Sequence, residues 1–129
     1  MTEEQKVTNS PQTEDKTDEA VLFNEIEIQG IKVKPWSFGV LFEIAEDLDN
    51  VIDKLEERNI DINKINLLDY KTMVRIFAIA GPYVFKIMSK TVSVSEEKLK
   101  ELDVQDGIKL AMIIVQQNLG QIKNGFGLT

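Results

Sequence analysis

Apolar and polar positions alternate in the stretch Glu25–Ser37, EIEIQGIKVKPWS. Ile26 and Ile28 keep one period-two phase, Ile31 and Val33 another, with Gln29-Gly30 between them. Alternation on both sides of a glycine-containing two-residue turn predicts a β-hairpin with one apolar face, glycine supplying the positive φ. Pro35-Trp36 ends that ladder, and Ser37 stands where a helix N-cap belongs. From there to about Glu57 the period becomes three and four. Phe38, Leu41, Ala45, Leu48, Ile52 and Leu55 form one seam; Leu41, Ile44, Leu48, Val51 and Leu55 form a second that overlaps it. Together they predict an amphipathic helix with a wide apolar face. Glu43, Glu46, Asp47, Asn50, Lys54 and Glu57 fall on the opposite side, and Arg58-Asn59 suits its C-terminal end. Gly39, in the first turn, is a place where the hairpin could approach closely.

Residues 59–68 fit either a short extended piece or a loop pinned by Ile60, Ile62 and Ile65. Asp69 is placed to cap a second helix through Met73, Ile76, Phe77 and Ala80, interrupted by Gly81-Pro82 and continuing through Val84, Phe85, Ile87 and Met88 to about Lys90. Proline lacks the backbone donor and clashes with the preceding turn, so a kink or a new helix start is expected there. Val92–Ser95 reads as extended. Ser95 caps a short acidic helix, Glu96–Leu102, and Asp103 caps a last one, about Val104–Leu119, closed by Gly120. The last helix is apolar all round at Leu110–Val115, which predicts either the central helix of the bundle or a face covered by another subunit. The fold class expected is α+β, mostly α: a small N-terminal hairpin followed by a compact bundle of about four to five helices.

Composition sharpens the domain boundaries. The chain has 129 residues, room for one domain with a modest core. Net charge is −7, but residues 1–20 hold six acids and two lysines, while the rest holds sixteen acids against thirteen basic residues. Apart from Met1, residues 1–20 carry one valine as their only sizeable apolar residue, too little to offset ordering entropy, and read as a disordered acidic tail. Ala20–Phe23 could extend the first strand. The expected organisation is a tail at 1–20, one domain at 21–120 and a flexible C-terminal tail at 121–129, with Phe126 between two glycines. The acidic N-terminus does not read as a signal peptide, and the longest uninterrupted apolar run, Leu110–Val115, falls far short of a membrane span. A cytoplasmic protein without a membrane partner is expected.

The chemistry on offer is narrow. There is no cysteine and no histidine, which removes thiolate nucleophiles, zinc-thiolate sites, the commonest general base and the commonest metal ligand. Asp47, Asp49 and Asp53 are spaced like part of a calcium loop. Val51 occupies a ligand position, however, the loop glycine is missing and the segment is helical in pattern. Gly81-Pro82 lacks the spacing and lysine of a phosphate loop. No basic stripe suits nucleic acid. The expectation is therefore no enzyme, no metal, no cofactor and no nucleic-acid partner. What remains are apolar and aromatic anchors: Trp36, Phe38 and Phe42 at the hairpin–helix junction, Tyr83 and Phe85 after the Gly-Pro, Ile113 in the last helix, and Phe126. The junction aromatics read first as a core plug between sheet and helix, with a partner anchor as the alternative.

The order of hairpin, KPWSFGVLFEI, the helix with AGPYVFKIMSKTV, and SVSEEKLKELDVQDGIKLAMIIVQQNL resembles the small tail assembly chaperones of long-tailed bacteriophages and phage-like particles, over about Ile26–Leu119. The resemblance implies a small N-terminal sheet before a mostly helical body, no enzyme activity, and binding to a tape measure protein and a tail tube protein. It also implies self-association and, often, a longer frameshifted form. The acidic tail at 1–20 departs from that pattern. The competing reading is an acidic regulator or inhibitor that binds a basic protein, resting on the net charge and the carboxylate face of the first long helix.

Overall fold

The computed structural model describes residues 25–124, without the side chains of 121, 123 and 124. It is mostly helical, with one two-stranded antiparallel sheet at its N-terminal end. Strands β1 (Ile26–Ile28) and β2 (Ile31–Val33) pair Ile26 with Val33, Glu27 with Lys32 and Ile28 with Ile31. Gln29 and Gly30 both take positive φ, 51° and 79°, the signature of the twisted two-residue turn that suits a right-handed hairpin. Ile28, Ile31 and Val33 are buried while Glu27 and Lys32 face solvent. The expected one-sided hairpin is thus present.

Ser37 caps α1 (Phe38–Glu57), its hydroxyl accepting from the Val40 amide at 3.2 Å. The buried face is Ile44, Asp47, Leu48, Val51, Ile52 and Leu55. All but Asp47 belong to the expected seams; the differences are that Phe38 lies outside the core and Asp47 lies inside it. Gly39 makes no close approach to the hairpin, since a Cβ there would meet only the Ser37 hydroxyl at 3.9 Å. Asn59 adopts the left-handed conformation. Its amide and that of Ile60 return to the carbonyls of Glu56 and Leu55, the paired bonds of a Schellman closure.

The ambiguous 59–68 segment resolves as a pinned loop. Two Asx turns, Asp61 to Asn63 and Asn66 to Leu68, shape it, and Ile62 and Leu67 anchor it in the core. Asp69 then caps α2 (Tyr70–Val92). The helical path breaks at Ala80 (φ −132°, ψ 24°), two residues before Pro82, as the missing donor and ring clash require. Val92, expected to be extended, belongs to this helix. Left-handed Ser93 ends it, and the Ser89 hydroxyl donates to the Val94 carbonyl at 2.6 Å.

Ser95 caps α3 (Glu96–Lys100), shorter than expected, and Asp103 caps α4 (Val104–Gln117). The chain turns at Asn118 rather than at Gly120, which lies inside α5 (Leu119–Asn124). Residues 121–124 are therefore helical, with Ile122 buried, where a flexible tail was expected. The remainder of that segment, including Phe126, lies outside the described residues, as do the 1–20 tail and Ala20–Phe23.

The central helix is α2, which packs against α1, α3, α4 and β2; α4 does not hold that place. Val33, Ile44, Leu55 and Leu110 are the most deeply buried large side chains, contributed by β2, α1 and α4. By length and composition α2 would suffice to cross a membrane. Lysines and arginine punctuate it at 71, 75, 86 and 90, so no long unbroken apolar run appears in the sequence.

Candidate partner-binding surface

The junction aromatics have opposite fates. Trp36 is half-buried and tied at both ends. Its amide donates to Asn118 Oδ1 at 2.9 Å, and its indole Nε1 donates to Thr91 Oγ1 at 2.9 Å. Thr91 Oγ1 in turn donates to the Ile87 carbonyl at 2.6 Å, and Asn118 Nδ2 to the Ile114 carbonyl at 2.8 Å. Trp36 thereby joins the hairpin exit to the ends of α2 and α4, the geometry of a core plug. Asn118 is buried, and a buried amide satisfied on both sides fixes its neighbours in one arrangement. Phe38 and Phe42 are 83 % and 79 % exposed, their rings tilted by 34° with centroids 6.5 Å apart.

Lys90 binds Asp47 at 2.9 Å and also donates to the Glu43 carbonyl at 3.2 Å, linking α2 to α1. The hydrogen bond to Asp47 holds the Lys90 ammonium above the ordinary lysine range, against a smaller opposing effect of burial. Of the three acids weighed as a calcium loop, Asp47 is thus committed to Lys90, while Asp49 and Asp53 face solvent on the helix. Among the described residues no cluster of three or more carboxylates is placed to hold a metal.

An exposed apolar surface lies between α2 and α4. Tyr70, Val74 and Phe77 recur at four and three residues along α2; Val104, Ile108 and Met112 recur at four along α4. Such spacing puts each trio on one helix face. Tyr70, Val74 and Val104 are all exposed, Val104 at 68 %. Two depressions open here. One, about 480 Å³, is lined by Leu68, Tyr70, Ile108, Met112 and Ile113. The other, about 290 Å³, is lined by Phe77, Phe85, Leu102, Val104 and Ile108. Ile108 borders both, so the two depressions adjoin at that residue, and together they make up the α2–α4 groove. Glycine at 107 lines it as well, and a Cβ there would meet nothing within 4 Å. The polar rim is Gln105, Lys109 and Gln116 at one end, Lys100 and Asp103 at the other. By contrast, the apolar cavity inside the core, bordered by Trp36, Leu48, Met73 and Ile122, is only about 70 Å³, far below the roughly 300–1,000 Å³ of small-molecule sites.

The residues singled out from sequence therefore do not form one site. Phe85 and Ile113 reach the groove. Phe85 packs its ring 5.5 Å from Phe77 and lies under the Lys100 ammonium at 5.3 Å. Tyr83 is half-buried and pairs with Lys86 at 5.9 Å. Tyr70, Val74, Val104, Ile108 and Met112 were missed. Each recurs at helical spacing, but periodicity alone does not say which apolar face the fold leaves open. Comparison with family models, with curated proteins and with solved structures finds no match to this chain.

Proposed function

We propose that this protein is a non-enzymatic tail assembly chaperone that binds a helical segment of a tape measure protein in the α2–α4 groove. The observation that carries the reading is the open groove itself. Two helices present facing apolar stripes with a polar rim, the arrangement that receives an amphipathic helix through anchors at three- and four-residue spacing. A chaperone for a long apolar-helical client needs shareable apolar surface on a charged, soluble body. The groove supplies the first. The exposed carboxylates along α1 (Glu43, Glu46, Asp49, Asp53 and Glu56) supply the second. The order of hairpin, kinked apolar helix, acidic short helix and last helix supports the tail-chaperone identity by resemblance. On that reading the tail tube protein is a second partner, the protein self-associates, and it acts in the host cytoplasm.

Co-expression with tape-measure fragments tests the proposal. The wild-type chain is expected to hold a helical fragment in the soluble fraction and co-purify with it, and Val104→Asp with Tyr70→Asp is expected to release it. A folded protein that neither binds nor solubilises any such fragment would overturn the reading. Steeply salt-dependent capture of a basic protein, undisturbed by the groove substitutions, would favour the acidic-regulator alternative instead.

A further inference from the structure

A second exposed apolar patch lies on α1 and shares no residue with the groove. Phe38 and Phe42, one turn apart, stand almost wholly in water. At about 100° per residue, Phe38, Phe42, Glu46, Asp49, Asp53 and Glu56 fall within an arc of roughly 80° around the helix. All six are exposed. The buried face of α1 is centred on the opposite side and packs against α2. From Phe38 to Glu56 the stripe is about 27 Å long. Its N-terminal end is aromatic and the rest is carboxylate.

The chain supplies no cation to those carboxylates. Lys54, the only basic residue of α1, lies off the stripe and pairs with Glu57 at 3.9 Å. Lys90 is engaged by Asp47 and the Glu43 carbonyl. Among the described residues the carboxylates of Asp49, Asp53 and Glu56 have no ion pair or hydrogen bond. The arrangement also works against the helix. Asp49 and Asp53 are four apart, and Asp53 and Glu56 three apart, spacings at which like charges repel. Glu56 stands in the last turn, where the helix dipole disfavours an anion. Local rules broken together on an exposed face are the mark of a functional surface.

We infer that this face of α1 docks a basic amphipathic helix of a partner protein. Two large apolar residues of that helix, four apart, cover Phe38 and Phe42, and lysines or arginines at three- and four-residue spacing follow the carboxylates. The aromatic pair supplies the desolvated anchor. The charges set the register, speed encounter and exclude acidic partners. A second copy suits this face poorly: parallel pairing opposes carboxylates to carboxylates, and antiparallel pairing opposes phenylalanines to carboxylates. The partner is additional to the client of the α2–α4 groove, and its binding does not depend on the groove reading.

The probe is a synthetic, end-capped helical peptide of about five turns with the stated pattern, titrated by fluorescence anisotropy into the full chain. Wild type is expected to bind it, more weakly as salt rises from about 0.05 to 0.5 M. Phe38→Ser/Phe42→Ser is expected to weaken binding about tenfold or more, with circular dichroism unchanged. Asp49→Lys/Asp53→Lys is expected to do the same, and to bind a peptide whose lysines are replaced by glutamate better than wild type does. Equal affinity of these variants for the basic peptide would overturn the inference. So would equal binding of a peptide of identical composition with its lysines scattered round the helix, which would leave only unspecific attraction. A sedimentation mass that falls to monomer in Phe38→Ser/Phe42→Ser would also overturn it, by making a second copy the occupant. Val104→Asp with Tyr70→Asp is expected to leave peptide binding unchanged, so each proposal stands or fails alone. Peptide binding at α1 with no groove client at all would support this face and turn the function toward a regulator of a basic protein.

Discussion

Trp36 at the hairpin–helix junction and the apolar stripes of the α2–α4 groove are built from the same kinds of side chain, and the first is closed while the second are open. At the junction an aromatic is flanked by polar partners from distant segments, Asn118 and Thr91, which use up its donors. In the groove Tyr70, Val74 and Val104 have neighbours of their own kind and remain exposed. The lesson is that a large apolar residue becomes structural when its polar atoms find fixed partners and its body fills space. Where the fold leaves the body half in water, the residue is available to something else.

Substitutions can break this contrast, and the largest effect is expected at the junction. Trp36→Ala should lower stability in denaturant unfolding by about 2–3 kcal/mol, somewhat under the roughly 3–5 kcal/mol of a fully buried aromatic because Trp36 is only half-buried. Binding of a helical client by the surviving fold should not change. Asn118→Ala removes the acceptor of the Trp36 amide and should cost about 1–3 kcal/mol, the penalty of leaving a shielded donor unmet. Loss of client binding without loss of stability in either variant would reverse the assignment of the two regions.

The α1–α2 bridge should register next. Lys90→Met leaves Asp47 facing α2 without its cation and should lower stability by about 1 kcal/mol, modest because the lysine side chain is 43 % exposed. Its pH signature follows from the raised pKa of Lys90. A lysine held above its unfolded value contributes fully below that value, ordinarily 10.5, and the contribution fades as pH rises through the higher folded value. On the alkaline side wild type and Lys90→Met should therefore converge in stability as the solution becomes strongly basic, as unfolding titrations at several pH values would reveal. The smallest structural effect belongs to the groove. Val104→Ser should stay within about 0.5 kcal/mol of wild type while weakening client capture in pull-down. A large stability loss there would mean that the groove is part of the core.

Much of this architecture was legible along the chain. The hairpin, its Gln29-Gly30 turn, the four caps at Ser37, Asp69, Ser95 and Asp103, and the break near Pro82 all rest on local chemistry: backbone φ, an available side-chain oxygen, a missing amide. In α1 members of both overlapping spacings are buried from Ile44 to Leu55, and the expected face fails only toward its N-terminal end, where Phe38 stays exposed, since spacing does not say how far along a helix packing reaches. Asp47 looked like a solvent residue because its partner, Lys90, is 43 residues away. The end of the chain was read as loose from its glycines, yet Ile122 finds a place in the core and carries a helical turn with it.

The sequence by itself determined where each element begins, ends and turns, since those choices are made by residues within a few positions of one another. It also set the chemical range, with neither histidine nor cysteine to work with. The tertiary structure decided which of several apolar faces are buried, because burial is a competition among faces that meet only once the helices pack. That competition buried Asp47 beneath the exposed Lys90, closed Trp36 between Asn118 and Thr91, and left the stripes of α2 and α4 open side by side.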